Sequence, residues 1–305
     1  MRAARRRGTF TRYLIPEAPV RSRCRWLQTG VAVAALLLVA GPADAHDLFL
    51  RLERWRVAPG ATVTIRLMNG AFKVNEAPVE GSRVRDLSVV SPAGRLKQDT
   101  TGWGYRADSS TTFPVRTGRP GTYVIGVSLA AKDLVMKSPK DFMKYIRDEG
   151  LDAIVAARTA AKLTNTPAKE RYEKHVKLLL QVGDSVQGAI STPLGYPAEI
   201  VPLDNPYAAE HATGRRIAPG RATSIRVRAM VDGAPAPGEA LFVGGITPDG
   251  ARIPVRRINT DAKGEAMIPL SGRGSRWIKF IHMAAAPTEG VDYHSKWATL
   301  TFGRQ

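Results

Sequence analysis

Cysteine is nearly missing from this sequence: Cys24 is the only one in 305 residues. It lies in a stretch that reads as a removable export signal. What remains has no disulfide and no thiolate ligand, so any metal site must use His, carboxylate, Met or a chain-end amine. Histidine is scarce too, five in all, which makes the position of each informative. No long apolar run is present either. Val31–Ala40 covers 10 residues, about half the ~20 that a membrane-spanning helix needs. The sequence contains no G-x-S-x-G, no H-E-x-x-H, no P-loop and no G-x-G-x-x-G after a strand, which removes the common hydrolase, zinc-protease, nucleotide-hydrolysing and dinucleotide-binding readings. Acidic residues are outnumbered, 27 against 45 Lys and Arg. The basic residues are nevertheless scattered, without the dense run of a nucleic-acid arm.

What is present at the start is an address. Arg21, Arg23 and Arg25 precede the apolar run, a Gly-Pro break follows, and Ala43-Asp44-Ala45 supplies a small-residue cleavage site. Residues 1–45 are therefore expected to be a cleaved signal peptide that delivers the rest to the periplasm. Arg5-Arg6-Arg7 leaves a twin-arginine signal open. The long stretch before Arg21, with no methionine after Met1, also leaves open a start at Val20. Cleavage removes eight Lys/Arg and two Asp/Glu, so the mature chain carries net charge +12, suited to attraction toward an anionic envelope surface rather than to nucleic acid.

The 260 residues that follow are enough for two domains. From His46 to about 132, short β-rich runs alternate with turn residues. Val63, Ile65 and Leu67 would face one side of a sheet, and Thr62, Thr64 and Arg66 the other. Between 133 and 188 the period becomes helical: Tyr172, His175, Val176, Leu179 and Leu180 recur at i, i+3, i+4, i+7 and i+8. Ser138-Pro139-Lys140-Asp141 supplies a helix cap. From 189 to 305 strand patterns return, separated by Asp232-Gly233, Pro248-Asp249-Gly250 and Asp261-Ala262-Lys263-Gly264 turns. The expectation is a mainly β protein: two antiparallel sandwiches of immunoglobulin-like or transthyretin-like type, 46–132 and 189–305, with a helical insertion at 133–188.

The chemistry centres on His46. Cleavage after Ala45 frees its α-amine, and the amine together with the imidazole Nδ1 closes a chelate ring that no internal histidine can form. The amine titrates at ~7.7–8.0, so it deprotonates cheaply near neutral pH, and imidazole suits Ni, Co, Cu and Zn. His282, on the strand face shared by Ile278 and Phe280, is the leading partner. His294, in "VDYHSKW", follows as a loop residue that could swing in. Each also has a structural reading: His282 as a hydrogen-bonded residue at a sheet rim, His294 as a solvated one. His175 reads as a core histidine and His211 as a loop residue. Met283 reads as packing or a soft ligand. Glu199 and Asp204 are too isolated for a carboxylate dyad, and Trp103 and Tyr105 are either core or a ligand platform.

Five stretches, "AHDLFLRL", "RPGTYVIGV", "RYEKHVKLLLQVG", "LGYPAEIVPLDNPY" and "TDAKGEAMIPL" with "WIKFIHM" and "KWATLTF", resemble an exported bacterial family of unassigned function. That family is often described as the periplasmic component of a nickel or cobalt uptake system, the nickel-uptake substrate-specific region. The resemblance implies a two-part β-rich periplasmic protein. His46 and His282 would match its recurrent histidines, and Lys177 and Glu199 its recurrent polar positions. The functional expectation is a non-enzymatic protein that binds or delivers a transition-metal ion (Ni, Co or Cu) through His46, His282 and His294. Its partner would be a membrane transporter or outer-membrane receptor. A metal-free immunoglobulin-like envelope interaction module is the alternative, and a copper-brace oxygenase the third reading.

Overall fold

The alternating residues of Thr62–Met68 do form a strand, and its inward side chains Ile65 and Leu67 are fully buried. The computed structural model describes residues 46–72, 74–208, 223–286 and 290–304; the expected signal peptide and His211 lie outside them. In chain order the first elements are β1 (Asp47–Arg51), β2 (Arg56–Val57), β3 (Thr62–Gly70), β4 (Val84–Ser91), β5 (Gly94–Lys97), β6 (Gly104–Tyr105), β7 (Thr111–Arg116), β8 (Gly121–Leu129) and β9 (Lys132–Met136). Two helices follow, α1 (Pro139–Asp148) and α2 (Asp152–Ala160). Then come β10 (Ala168–Val182), β11 (Ala198–Pro202), β12 (Thr223–Val231), β13 (Ala234–Pro235), β14 (Ala240–Ile246), β15 (Arg252–Asn259), β16 (Glu265–Leu270), β17 (Gly274–Ala285) and β18 (Tyr293–Arg304).

The protein is mainly β, as the sequence implies. One correction concerns β10. The helical spacing of Tyr172, His175, Val176, Leu179 and Leu180 belongs to a 15-residue strand. Its sides face different cores: Val176, Leu178, Leu180 and Val182 enter one, and Leu179 the other. A strand buried on both faces loses its two-residue alternation, and its apolar run can then satisfy a helical template. The helical part of 133–188 is confined to α1 and α2. The α1 cap is as expected, with Ser138 Oγ accepting from Asp141 N at 3.2 Å.

β10 joins the two halves of the chain. A ten-stranded sheet runs β15-β14-β17-β18-β10-β8-β4-β5, with β2 and β9 also paired to β10. All its pairings are antiparallel except β10 with β18 and β10 with β2. A small sheet, β1-β3-β7-β6, covers β4, β8 and β10 on one face, burying Leu48, Leu50, Phe113 and Val115 against Val89, Ile125 and Leu178. On that same face α1 and α2 cover the β17 and β18 side, where Phe142 and Ile146 meet Ile281, Met283 and Trp297. The opposite face takes β11, β12 and β16, which bury Ile200, Val227 and Ile268 against Leu179, Ile278, Phe280 and Leu300. Two sandwich packings are present, and they share one sheet. Each fully buried Leu, Ile or Phe contributes about 1.5–3 kcal/mol of transfer free energy to these cores.

Candidate functional site

His46 immediately precedes β1, which pairs with β3 from Asp47 opposite Gly70 to Arg51 opposite Arg66. The turn after β3 folds back over this corner. Asn69 N donates to Asn75 Oδ1 at 2.8 Å, and Glu76 N donates to Asn69 O at 3.0 Å. Gly70 allows that approach, since a Cβ there would sit 2.5 Å from Val74 O. The fold-back brings Glu76 Oε2 to 2.7 Å from His46 Nε2, with the imidazole about a third exposed. A neutral imidazole that donates Nε2–H to a carboxylate keeps its lone pair on Nδ1, the nitrogen that would close a ring with its own α-amine. Lys174 Nζ donates to the His46 carbonyl. Burial pulls the Lys174 ammonium down to about 8 despite nearby Asp47.

His282 lies elsewhere. Its neighbours Ile278 and Phe280 belong to the core under β11, β12 and β16, so it does share their face, as the alternation predicts. Lys279 and Ile281 point to the other face, where Lys279 Nζ donates to Asp47 Oδ1 at 2.8 Å. His46 is thus anchored on one side of the sheet and His282 on the other. The His282 Nδ1 meets Glu239 Oε1 at 2.7 Å. His294, expected in a loop, sits within β18 directly across from Ala284 on β17, hence on the His282 face. Its Nε2 is 3.5 Å from Glu173 Oε1, while the other Glu173 oxygen lies 3.7 Å from His175 Nε2. The structure therefore gives His46, His282 and His294 three different carboxylate neighbours and sets His46 on one face of the sheet, with His282 and His294 on adjacent strands of the other. Among the described residues no group of three or more His, Asp or Glu side chains is placed to hold a metal ion. A site headed by a chain-end amine is of another kind.

The remaining candidates have structural surroundings. His175 is buried, with Nδ1 2.9 Å from Ser128 Oγ, and burial holds its pKa down at about 3. Lys177 and Glu199 form a buried ion pair of 2.8 Å, and Glu199 also accepts from Leu194 N and Tyr196 N. Asp204 pairs with Arg226, and Met283 packs on the helices. Trp103 stacks on Phe113 and donates its indole N–H to Val79 O, whereas Tyr105 is exposed. Glu76 escaped sequence reasoning because nothing in its spacing, 30 residues after His46, points to it. Only the fold-back after β3 makes them neighbours.

A family model described as "Domain of unknown function (DUF4198)" matches residues 43–284. No curated relative matches the chain. Among solved structures the chain is similar to the Yersinia pseudotuberculosis adhesin InvE, at 14% identity and TM-score 0.21, covering 84% of this chain and 58% of that one. The Escherichia coli adhesin FdeC gives 15% and 0.22, with 87% and 65% covered. Trypsin-activated alpha-2-macroglobulin from Escherichia coli gives 11% and 0.21, with 86% and 16% covered. The chain thus spans less than two thirds of each of these proteins, and at such scores nothing about their activities transfers.

Proposed function

The chain belongs to the DUF4198 family, and since that description carries no activity we propose from its own residues that it is a transition-metal-binding or delivery protein. The ion is Ni, Co or Cu. It is held by the α-amine and Nδ1 of His46 once the chain begins at that residue, outside the inner membrane, and is passed to a membrane transporter. One observation carries the reading: Glu76 stands against the Nε2 of His46 and not its Nδ1. A carboxylate behind an imidazole fixes the ring and raises its basicity, the usual support of a ligating histidine. His282 and His294 take no part in this ion; each stands beside a carboxylate of its own on the far face of the sheet. Binding requires a deprotonated amine, so affinity falls as pH drops toward ~6. The chain's own residues bind and present the ion and perform no chemistry on it.

The test is calorimetric titration of protein beginning at His46 with NiCl2, CoCl2 and CuSO4. The comparators carry one extra alanine before His46, Glu76→Gln, or His282→Ala. Capping abolishes tight binding, Glu76→Gln weakens it by roughly 10- to 100-fold, and His282→Ala leaves it unchanged. Equal affinity in the capped protein refutes the proposal.

A further inference from the structure

A groove of about 870 Å3 runs along β3 beside the segment 52–61 that holds β2. That volume falls within the ~300–1,000 Å3 typical of ligand sites. On β3, Thr62, Thr64 and Arg66 line it at every second residue. Thr62 and Arg66 stand about 13 Å apart, the length of four extended residues. Near the Thr62 end, Arg56 Nη1 donates to Gly183 O at 3.1 Å and lies 3.4 Å from Asp184 Oδ1. At the other end Arg66 Nε donates to Ser110 Oγ at 3.2 Å, and its Nη2 pairs with Asp108.

Positive charge prevails along its whole length. Arg54, Arg56, Arg66 and Arg106 line the groove against two carboxylates, Glu53 and Asp184. Just outside it Arg51 stands directly across the sheet from Arg66, and Asp108 pairs with Arg66, so these two cancel and the groove keeps a surplus of two positive charges. Arg116, opposite Thr62 on β7, adds to it. Like charges directly opposite in a sheet are destabilising. Burial, and then Arg66, hold the Arg51 guanidinium below its ordinary value despite Asp108 and Glu53. Arg54 is exposed, with no hydrogen bond or ion pair among the described residues, and Arg106, also exposed, shares Asp108 with Arg66. A concave surface lined by one sign of charge focuses its field on ions of the other.

The lining narrows the class of anion. A compact anion such as phosphate reaches only one end of a groove this long. Among the described residues no lining side chain is aromatic, so nucleic-acid bases would find nothing to stack on, and a flat bilayer does not enter a groove. Between the charged ends, Thr62 and Thr64 are exposed and offer hydroxyls that both donate and accept. We propose that this groove binds an acidic oligosaccharide, a linear chain of sugar rings bearing carboxylates. Its carboxylates meet Arg54, Arg106 and the cationic ends, and its ring hydroxyls meet Thr62 and Thr64. The assignment does not depend on the metal reading, because none of these contacts uses the His46 chelate.

The experiment is calorimetry in physiological salt on protein beginning at His46, stripped of metal on a chelating resin so that chelation by the sugar acid gives no heat. The probes are tetragalacturonate, the neutral cellotetraose of equal length, tetraglutamate of equal side-chain charge, and phosphatidylglycerol vesicles. Tetragalacturonate binds, and each of the other three binds at least about tenfold more weakly. The double variant Arg54→Gln/Arg106→Gln weakens tetragalacturonate at least about tenfold, the loss expected for one or more charge-assisted contacts. The control Arg252→Gln/Arg256→Gln, which removes the same charge from exposed positions on β15, changes it less than about twofold. Circular dichroism confirms that both double variants are folded. Absence of heat with tetragalacturonate, equal binding of cellotetraose, tighter binding of tetraglutamate or of vesicles, or an equal loss in the β15 control overturns the proposal. Any of these results leaves the metal titrations of capped and uncapped protein untouched.

Discussion

Replacing Glu199 by alanine tests how the outer sheet is fastened to the central one. The pair it forms with Lys177 spans 2.8 Å, with both side chains at most 3% exposed. Its two oxygens also accept from Leu194 N at 2.9 Å and Tyr196 N at 2.6 Å, fixing the loop that enters β11. Burial pulls the Lys177 pKa below its ordinary value, and Glu199 is the counter-charge that opposes this. Removing one partner of such a pair leaves an uncompensated buried charge and is worth about 3–5 kcal/mol. Two orphaned amides add to that, at roughly 1–3 kcal/mol each before water enters the space. Against a total stability of about 5–15 kcal/mol, Glu199→Ala is expected to lose at least 3 kcal/mol. Urea unfolding followed by tryptophan fluorescence measures this as a lower midpoint with an unchanged slope. The double variant Lys177→Met/Glu199→Gln, which removes both charges but retains an acceptor for an amide, recovers more than half of the loss. A loss below about 1 kcal/mol in the single variant would show that the pair does not fasten the sheets and would refute the reasoning.

Three further outcomes follow from the same contacts. His175 is held neutral down to about pH 3 by burial, reinforced by the charges of Lys296 and Arg85, with Glu173 and Asp232 the facing acids. The unfolded chain takes up that proton near ~6.5, so stability is full above that pH and declines by about 1.4 kcal/mol per unit as pH falls from ~6.5 toward 3. Denaturant midpoints between pH 7 and 4 will show a shallower decline for His175→Gln, and an identical slope would disprove the assignment. A Cβ at Gly303 would stand 1.9 Å from Trp55 Cγ, so Gly303→Ala should destabilise by at least 1–3 kcal/mol; an unchanged melting temperature would contradict the packing. Arg158, 2% exposed, donates to the carbonyls of Leu163 and Thr166 and to Tyr293 Oη, and lies over the Phe142 ring. Because lysine lacks the planar fork, Arg158→Lys should expose 161–167 to limited proteolysis nearly as much as Arg158→Met does, and full protection in the lysine variant would count against this.

Local pattern made the strands with one buried face legible. Val63, Ile65 and Leu67 on β3, and Ile278, Phe280 and His282 on β17, lie on the sides that their alternation assigns. The cap at Ser138 was equally legible, since its signal is contained in four consecutive residues. β10 was not, because burial on both faces erases the period that identifies a strand. Nor was the sharing of one sheet by two sandwiches, which depends on pairing Glu170 with Tyr293, 123 positions away. At the site, the importance of His46 came from where cleavage would fall, while its carboxylate neighbour came only from the fold-back after β3. The His282 face was readable and its separation from His46 was not, since the alternation of one strand does not say which layer another strand joins.

β18 follows both β10 and β17 in the chain, yet it lies between them in the large sheet. Until Tyr293–Arg304 emerge from the ribosome, those two neighbours have no common partner and both present unpaired backbone edges, the kind of template that recruits other chains. β18 is the latch that closes the sheet. Such distant pairing slows folding, and the two halves of the sheet stay apart, and the polypeptide threadable, until β18 joins them.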